Sequence, residues 1–245
     1  MSNQSLVCRY CGNENVIYAG KSGEHQKCKC KSCGRKFQLS YSYRAYEPGV
    51  KEQISEMAIN SSGIRDTARV LKIGRSTVQR ELKKKAETVQ YVNQAFIDSL
   101  PDEEEREALA QLGIEVCIEG EGDEMWSFVG SKKNQFWLWY IIERQTRKVL
   151  AFVFGPRTDE TFRRLLNLLP PHLLDHLATD DWGAYKRVPY KPLQQVGKSG
   201  TQRIERQNLT LRTRIKRLAR RTICFSKCEI MHATVIGMFI NEFFF

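Results

Sequence analysis

Two cysteine pairs near the start of the chain, Cys8-x2-Cys11 and Cys30-x2-Cys33, stand 18 residues apart. That spacing restricts the local fold more than any other feature, because it is the four-thiolate pattern of zinc ribbons. Each pair makes a tight knuckle, with Gly12 and Gly34 directly after the second cysteine, and a tetrahedral Zn²⁺ would join the two. A segment of about 40 residues buries too little apolar surface to fold alone, so metal binding would supply the folding free energy. Four thiolates leave no open coordination position, which makes the zinc role structural. Cys28 completes a local C-x-C-x-x-C and is the rival ligand, His25 a weaker one. Unpaired or redox-active thiols are the other account. Cys117, Cys224 and Cys228 lack such spacing and read as core or incidental residues. No stretch of 18 apolar residues occurs, and MSNQSLVCRY lacks the apolar centre of a secretory signal. A cytoplasmic protein without membrane association is therefore expected, in a compartment where metal binding explains cysteines better than disulfides do.

The formal charge of +11 is unevenly spread. Lys and Arg number 17 against 8 acids in residues 1–95, 12 against 17 in 96–195, and 10 against 3 in 196–245. Two basic ends around an acidic middle suit a polyanion gripped at both ends, with cation-carrying carboxylates between. An ordinary basic protein with solvated faces is the plainer alternative. A chain of 245 residues has room for one buried catalytic core and one or two small modules.

Residues 48–85 read as three short helices. Pro48 opens the first, with Val50, Ile54, Met57 and Ala58 on one face. The second runs from Ile64 through Ala68 and Leu71, and Gly74 makes the turn. Ser76 caps the third, placing Val78 and Leu82 inward and Gln79, Arg80 and Lys83 outward. This is a helix-turn-helix layout, whose last helix enters the DNA major groove and would present Arg75, Gln79, Arg80 and Lys83. Three-helix packing without DNA contact is the alternative. Residues 87–112, which include the acidic run DEEERE, read as a linker with helical parts.

From residue 113 the texture changes. IEVCIEGEGDEMWSFVG, NQFWLWYIIE and KVLAFVFGP read as a three-strand antiparallel meander. TDETFRRLLNLLP follows as a helix, HLATDDW as a short strand ending in acids, then a long basic helix. The last helix carries eight Arg or Lys within residues 201–221 and a single acid, Glu205. Ile204, Leu211, Ile215 and Leu218 form its buried stripe, which puts Glu205 one step round from the stripe and turns Arg206, Arg214, Arg217 and Arg221 toward solvent or DNA. This order of elements is also that of the ribonuclease-H-like fold, in which the first strand, the fourth strand and a late helix each bring one carboxylate to a common point. Asp123, Asp180 and Glu205 occupy those places, with Glu124 and Asp181 as close rivals. Three carboxylates suit Mg²⁺ or Mn²⁺, and two such ions can drive in-line phosphodiester displacement. The arginines nearby would hold the phosphate backbone. An ordinary ion-pairing acid is the other account of Glu205.

MWSFVG after Asp123, ATDDWGAY around Asp180, TQRIERQNLTLRTRIKRL around Glu205, and the N-terminal EHQKCKCKSC with its FQL tail together resemble transposases of the insertion-sequence-one family. The resemblance runs in order over nearly the whole chain. It implies an N-terminal zinc ribbon (1–45) and helix-turn-helix domain (46–86), then, after the linker (87–112), an α/β ribonuclease-H-like catalytic domain (113–245). It implies a DDE transposase with Asp123, Asp180 and Glu205 as catalytic residues and ligands of Mg²⁺ or Mn²⁺. The N-terminal modules would recognise the terminal inverted repeats of double-stranded DNA, and paired ends imply at least a homodimer. Gln207 stands where the family pattern leads us to expect histidine. Asn241 reads as a helper near the site or as part of a terminal helix packing Met238, Phe239 and Phe243, and Trp126 and Trp182 read as core. A zinc-ribbon DNA-binding regulator with an inactive second domain is the alternative function.

Overall fold

The computed structural model describes residues 6–41, 43–171, 173–188, 193–196, 200–219, 221 and 223–245; the first five residues of the expected ribbon, MSNQS, lie outside them. Two units separate by internal contacts, Met1–Glu56 with Ile64–Glu81 and Met57–Gly63 with Leu82–Phe245.

The first unit begins with an antiparallel meander of β1 (Val16–Ser22), β2 (His25–Cys30) and β3 (Lys36–Gln38). Ser22 faces His25 across a two-residue loop, and Gly23, at φ +61°, supplies the left-handed backbone that such a loop needs. Cys8, Cys28, Cys30 and Phe37, flanked by Leu6 and Val16, form its small core.

Three helices follow, α1 (Val50–Ile59), α2 (Ile64–Leu71) and α3 (Arg75–Lys85). Val50, Ile54 and Ala58, then Ala68 and Leu71, then Val78 and Leu82 are buried, as helical periodicity requires. The turn differs in detail from the expectation. Lys72, at φ +54°, carries the left-handed residue. Gly74 instead provides room, since a Cβ there would lie 3.3 Å from the Tyr43 hydroxyl. Ser76 sits inside the first turn of α3, so it is not the cap. The Tyr43 hydroxyl takes that part, accepting the Gly74 N–H at 2.9 Å and lying 2.9 Å from Thr77 Oγ1. A capping oxygen from a residue outside the helix pair satisfies one of the otherwise orphaned donors.

In the second unit, α4 (Gln94–Ile97) and α5 (Glu103–Gln111) occupy the interval expected to be a linker. The acidic run opens α5 through a capping box between Asp102 and Glu105. Ahead of them the chain runs along β6 (Val149–Gly155): the Asn93 N–H donates to the Leu150 carbonyl, and the Phe152 N–H to the Tyr91 carbonyl. The sheet contains β4 (Glu119–Phe128), β5 (Gln135–Glu143), β6, β7 (His176–Thr179) and β8 (Leu193–Val196), in the order β6-β5-β4-β7-β8. The first three strands pair antiparallel, as the meander reading expects. The last two run parallel to β4, and sequence reasoning missed β8.

Helices cover both faces. On one side α6 (Asp159–Leu166) and α7 (Gly183–Arg187) share a core with Trp139, Ile141, Phe162, Leu165, Leu177 and Tyr185. On the other, α8 (Gln202–Arg214) and α9 (Glu229–Phe243) share one with Met125, Leu138, Tyr140, Ile204, Leu211, Ile236 and Phe239. The basic helix is shorter than expected, ending at Arg214; Ile215 and Leu218 are still buried, but in and beside a 3-10 turn. Among the described residues no helix is long and apolar enough to cross a membrane.

Candidate functional site

β4 reads EGEGDE from Glu119, and alternation of side chains sends Glu119, Glu121 and Asp123 to one face and Gly120, Gly122 and Glu124 to the other. The glycines are required by packing. A Cβ on Gly120 would stand 2.7 Å from Leu174 Cδ1, so the layer beneath leaves no room for a side chain. On the opposite face the fully buried Glu121 carboxylate accepts the backbone N–H groups of Arg203 and Ile204, at 3.0 and 2.9 Å, in the first turn of α8. A carboxylate at a helix N-terminus is favourably placed, and here it fixes α8 against the strand.

Parallel pairing of β4 with β7 runs from Glu119 opposite His176 to Gly122 opposite Thr179 and then stops. Asp123 and Glu124 follow the last paired position on one strand, and Asp180 follows β7 directly. The three carboxylates therefore meet at the carboxyl ends of adjacent parallel strands, each offering an oxygen within 4.8 Å of the others.

Their surroundings differ. Asp123 Oδ1 accepts the Glu124 N–H at 2.8 Å, and Oδ2 accepts from Asn208 Nδ2 at 2.5 Å. Burial, followed by the neighbouring charge of Glu124, pushes the Asp123 carboxyl up to about 7. Asp180 Oδ1 accepts the Trp182 N–H at 2.9 Å. Glu124 is buried, and burial raises its carboxyl too. Both of its oxygens are already engaged: Oε1 accepts from Arg157 Nε at 2.8 Å and again from Nη2, and Oε2 accepts from the Tyr185 hydroxyl. The Arg157 guanidinium lies 5.1 Å from the Trp137 ring and 4.6 Å from that of Trp182, an arrangement that holds it in place. The other rival, Asp181, is exposed and pairs with Lys186 at 2.5 Å.

Glu205 is exposed on the first turn of α8 and does not join the three-carboxylate group. It lies three residues before Asn208, so both occupy one side of the helix, and Asn208 is the residue that touches Asp123. Gln207 is buried on the inner side of α8 with Ile204 and Leu211. Arg206, Arg214 and Arg221 are exposed, and the Arg214 guanidinium sits 4.0 Å from the Phe243 ring centre. Arg217 departs from the expectation. Because the helix ends before it, the side chain turns inward and donates to Ser226 Oγ and the Met231 carbonyl, at 3.1 and 3.2 Å. Asn241 lies on α9 and clamps Gln90, accepting its N–H at 2.9 Å and donating to its carbonyl at 2.7 Å. Trp182 is partly buried against the core, and Cys117 and Cys224 are exposed rather than core. Arg157, Tyr185, Tyr140 and Asn208 were not singled out from sequence; their part is visible only once strands and helices are assembled.

The ribbon holds a second cluster. Cys8, Cys11, Cys30 and Cys33 bring their sulfurs within 4.8 Å of one another, with Cys8–Cys33 at 3.7 Å and Cys11–Cys30 at 3.6 Å. A tetrahedron with metal–sulfur bonds of about 2.3 Å has edges of about 3.8 Å, so the spacing fits. Gly12 and Gly34, at φ +69° and +73°, close the knuckles by donating to the Cys8 and Cys30 carbonyls. Cys28 is buried outside this group, and His25 Nδ1 lies 3.0 Å from Ser40 Oγ. On α3, Arg75, Gln79, Arg80 and Lys83 are all exposed.

A family profile described as IS1 transposase matches residues 115–245, and one described as InsA C-terminal domain matches residues 41–86. Insertion element iso-IS1n protein InsB of Shigella dysenteriae is 59% identical over 123 residues, which cover 50% of this chain and 94% of the relative. Insertion element IS1 4 protein InsB of Escherichia coli (strain K12) is 42% identical over 131 residues, covering 54% of this chain and 78% of the relative.

Proposed function

We propose that this chain, which belongs to the IS1 transposase family, uses Asp123, Asp180 and Glu205 as the acidic triad of a DDE transposase. The chain is a DNA transposase with an N-terminal helix-turn-helix for end binding. The observation that carries the triad is the meeting of Asp123 and Asp180 at the ends of β4 and β7, with α8 bound to the same strand through Asn208 and Glu121. Three antiparallel strands, a helix, a parallel fourth strand and a late helix support the ribonuclease-H-like reading of the domain.

Oxygen donors of this kind fit Mg²⁺ or Mn²⁺. Bound there, divalent cations supply the Lewis acidity that activates a water or a DNA 3′-hydroxyl and stabilises the leaving oxygen. The chain's own residues do the rest. Asp123 and Asp180 present oxygens at a shared point; Glu205, outside that group on the first turn of α8, would supply the third when cations and DNA bind. Arg157 neutralises Glu124, so the centre does not carry a further uncompensated buried charge. Arg206, Arg214 and Arg221 hold the phosphate backbone. Arg75, Gln79, Arg80 and Lys83 on α3 read the terminal repeats, and the ribbon, with Zn²⁺ on Cys8, Cys11, Cys30 and Cys33, extends that grip. Two ends processed together call for at least two copies of the chain.

Strand transfer with end-containing DNA and Mg²⁺ tests this. Asp123→Ala, Asp180→Ala and Glu205→Ala each abolish cleavage and joining and leave end binding intact; joining by Glu205→Ala defeats the triad. One observation favours a second reading of the third ligand, namely that Glu124 lies within the cluster and Glu205 outside it. Under that reading Glu124→Gln abolishes chemistry and Glu205→Ala does not.

A further inference from the structure

We infer that Asn208 is a positioning residue for the cation site, setting the Asp123 carboxylate, and that Tyr140 sets Asn208. This rests on the assignment of Asp123 and Asp180 as cation ligands. Asp123 and Tyr140 are cross-strand partners on β4 and β5. Both are bound by one side chain from α8: Asn208 Nδ2 donates to Asp123 Oδ2 at 2.5 Å, and Asn208 Oδ1 accepts from the Tyr140 hydroxyl at 2.8 Å.

An asparagine amide presents a donor at one end and an acceptor at the other, and turning it over exchanges them. Were it turned over here, its oxygen would face the Asp123 carboxylate, which repels it. The Tyr140 hydroxyl, fully buried on β5, has two acceptors in reach, Asn208 Oδ1 at 2.8 Å and the Ile204 carbonyl at 3.4 Å; donation to the nearer one favours the orientation with NH₂ toward Asp123. The Glu124 N–H holds the other carboxylate oxygen. With one hydrogen bond on each oxygen, the Asp123 side chain has a fixed plane, and each oxygen keeps a lone pair for a cation. The same contact ties to β4 the side of α8 that carries Glu205, three residues earlier. Together with the Glu121 carboxylate on the Arg203 and Ile204 N–H groups, this amide holds to β4 the helix that carries Glu205.

Loss of a partner that orients a ligand weakens metal affinity by about 10- to 100-fold. The test is a Mn²⁺ titration of the full-length protein, followed by the electron paramagnetic resonance signal of free aqueous Mn²⁺, for wild type, Asn208→Ala, Tyr140→Phe, Asp123→Ala and Asp180→Ala. Asn208→Ala is expected to weaken Mn²⁺ binding by about 10- to 100-fold with end-DNA binding unchanged, and Tyr140→Phe to weaken it less. In cleavage assays the Mn²⁺ concentration for half-maximal rate rises in both, while the rate at saturating Mn²⁺ changes little. If Asn208→Ala binds Mn²⁺ like wild type while the two aspartate variants do not, the positioning role is wrong and the ligand assignment stands. If the aspartate variants also bind like wild type, the assignment falls and takes the inference with it. Loss of both Mn²⁺ and DNA binding in Asn208→Ala, with unchanged Mn²⁺ binding in Tyr140→Phe, assigns Asn208 to packing alone.

Discussion

Asp123→Asn should flatten the pH dependence of folding in the catalytic unit. Burial first, and then the charge of Glu124, moves the folded Asp123 carboxyl from an ordinary 3.8 to about 7. An acid raised in this way binds its proton more tightly in the folded state. Its contribution to stability is complete below about pH 4 and is lost as the pH rises through 7. Each pH unit in that window amounts to about 1.4 kcal/mol, so between pH 5 and pH 8 the loss is on the order of 3 kcal/mol. Asparagine keeps the shape and removes the titration. It offers one acceptor oxygen where Asp123 receives two N–H groups, a loss of about 1 kcal/mol, but this is independent of pH and cancels when two pH values are compared. Urea unfolding without added divalent cation measures the effect. All four tryptophans lie between residues 126 and 182, so their fluorescence reports this unit and not the ribbon. Wild type should lose roughly 3 kcal/mol more than Asp123→Asn on going from pH 5 to pH 8, and added Mn²⁺ should restore wild type alone. Parallel pH profiles for the two proteins would refute the reasoning.

Other perturbations separate the remaining parts. If the four-cysteine cluster holds zinc as proposed, Cys30→Ser should lose it and unfold the first three strands, whereas Cys28→Ala should keep it; metal analysis of the purified proteins distinguishes them. Gly120→Ala forces a methyl against Leu174 and should destabilise the catalytic unit by about 1–3 kcal/mol in urea unfolding. Asn241→Ala removes both hydrogen bonds to Gln90, and proteolysis should then cut near residues 86–93 faster than in wild type.

Features set by local covalent pattern could be read from the chain alone. The ribbon follows from cysteine spacing and two glycines, and the meander from period-two apolar runs. Features set by assembly could not. β8 is four residues, LQQV, without alternation long enough to register, and it exists as a strand because β7 offers it an edge. Arg217 turns inward, against helical counting, because α8 ends at Arg214 and a 3-10 turn then changes the period. The choices between Asp123 and Glu124 and between Asp180 and Asp181 are open in the sequence because neighbouring acids share a composition. In the structure Glu124 is held by Arg157 and Tyr185, and Asp181 faces solvent with Lys186.

The Gln90–Asn241 clamp brings the entrance of the catalytic unit against its closing helix, and the Phe244 carbonyl accepts the N–H of Val149 at the start of β6. A ribosome making this chain releases residue 90 long before residue 241 exists. Until then β6 has neither its closing contact nor the cover of α9, and only α8 covers that side of the sheet. A product terminated before α9 would therefore carry the helix-turn-helix ahead of a sheet that lacks these contacts.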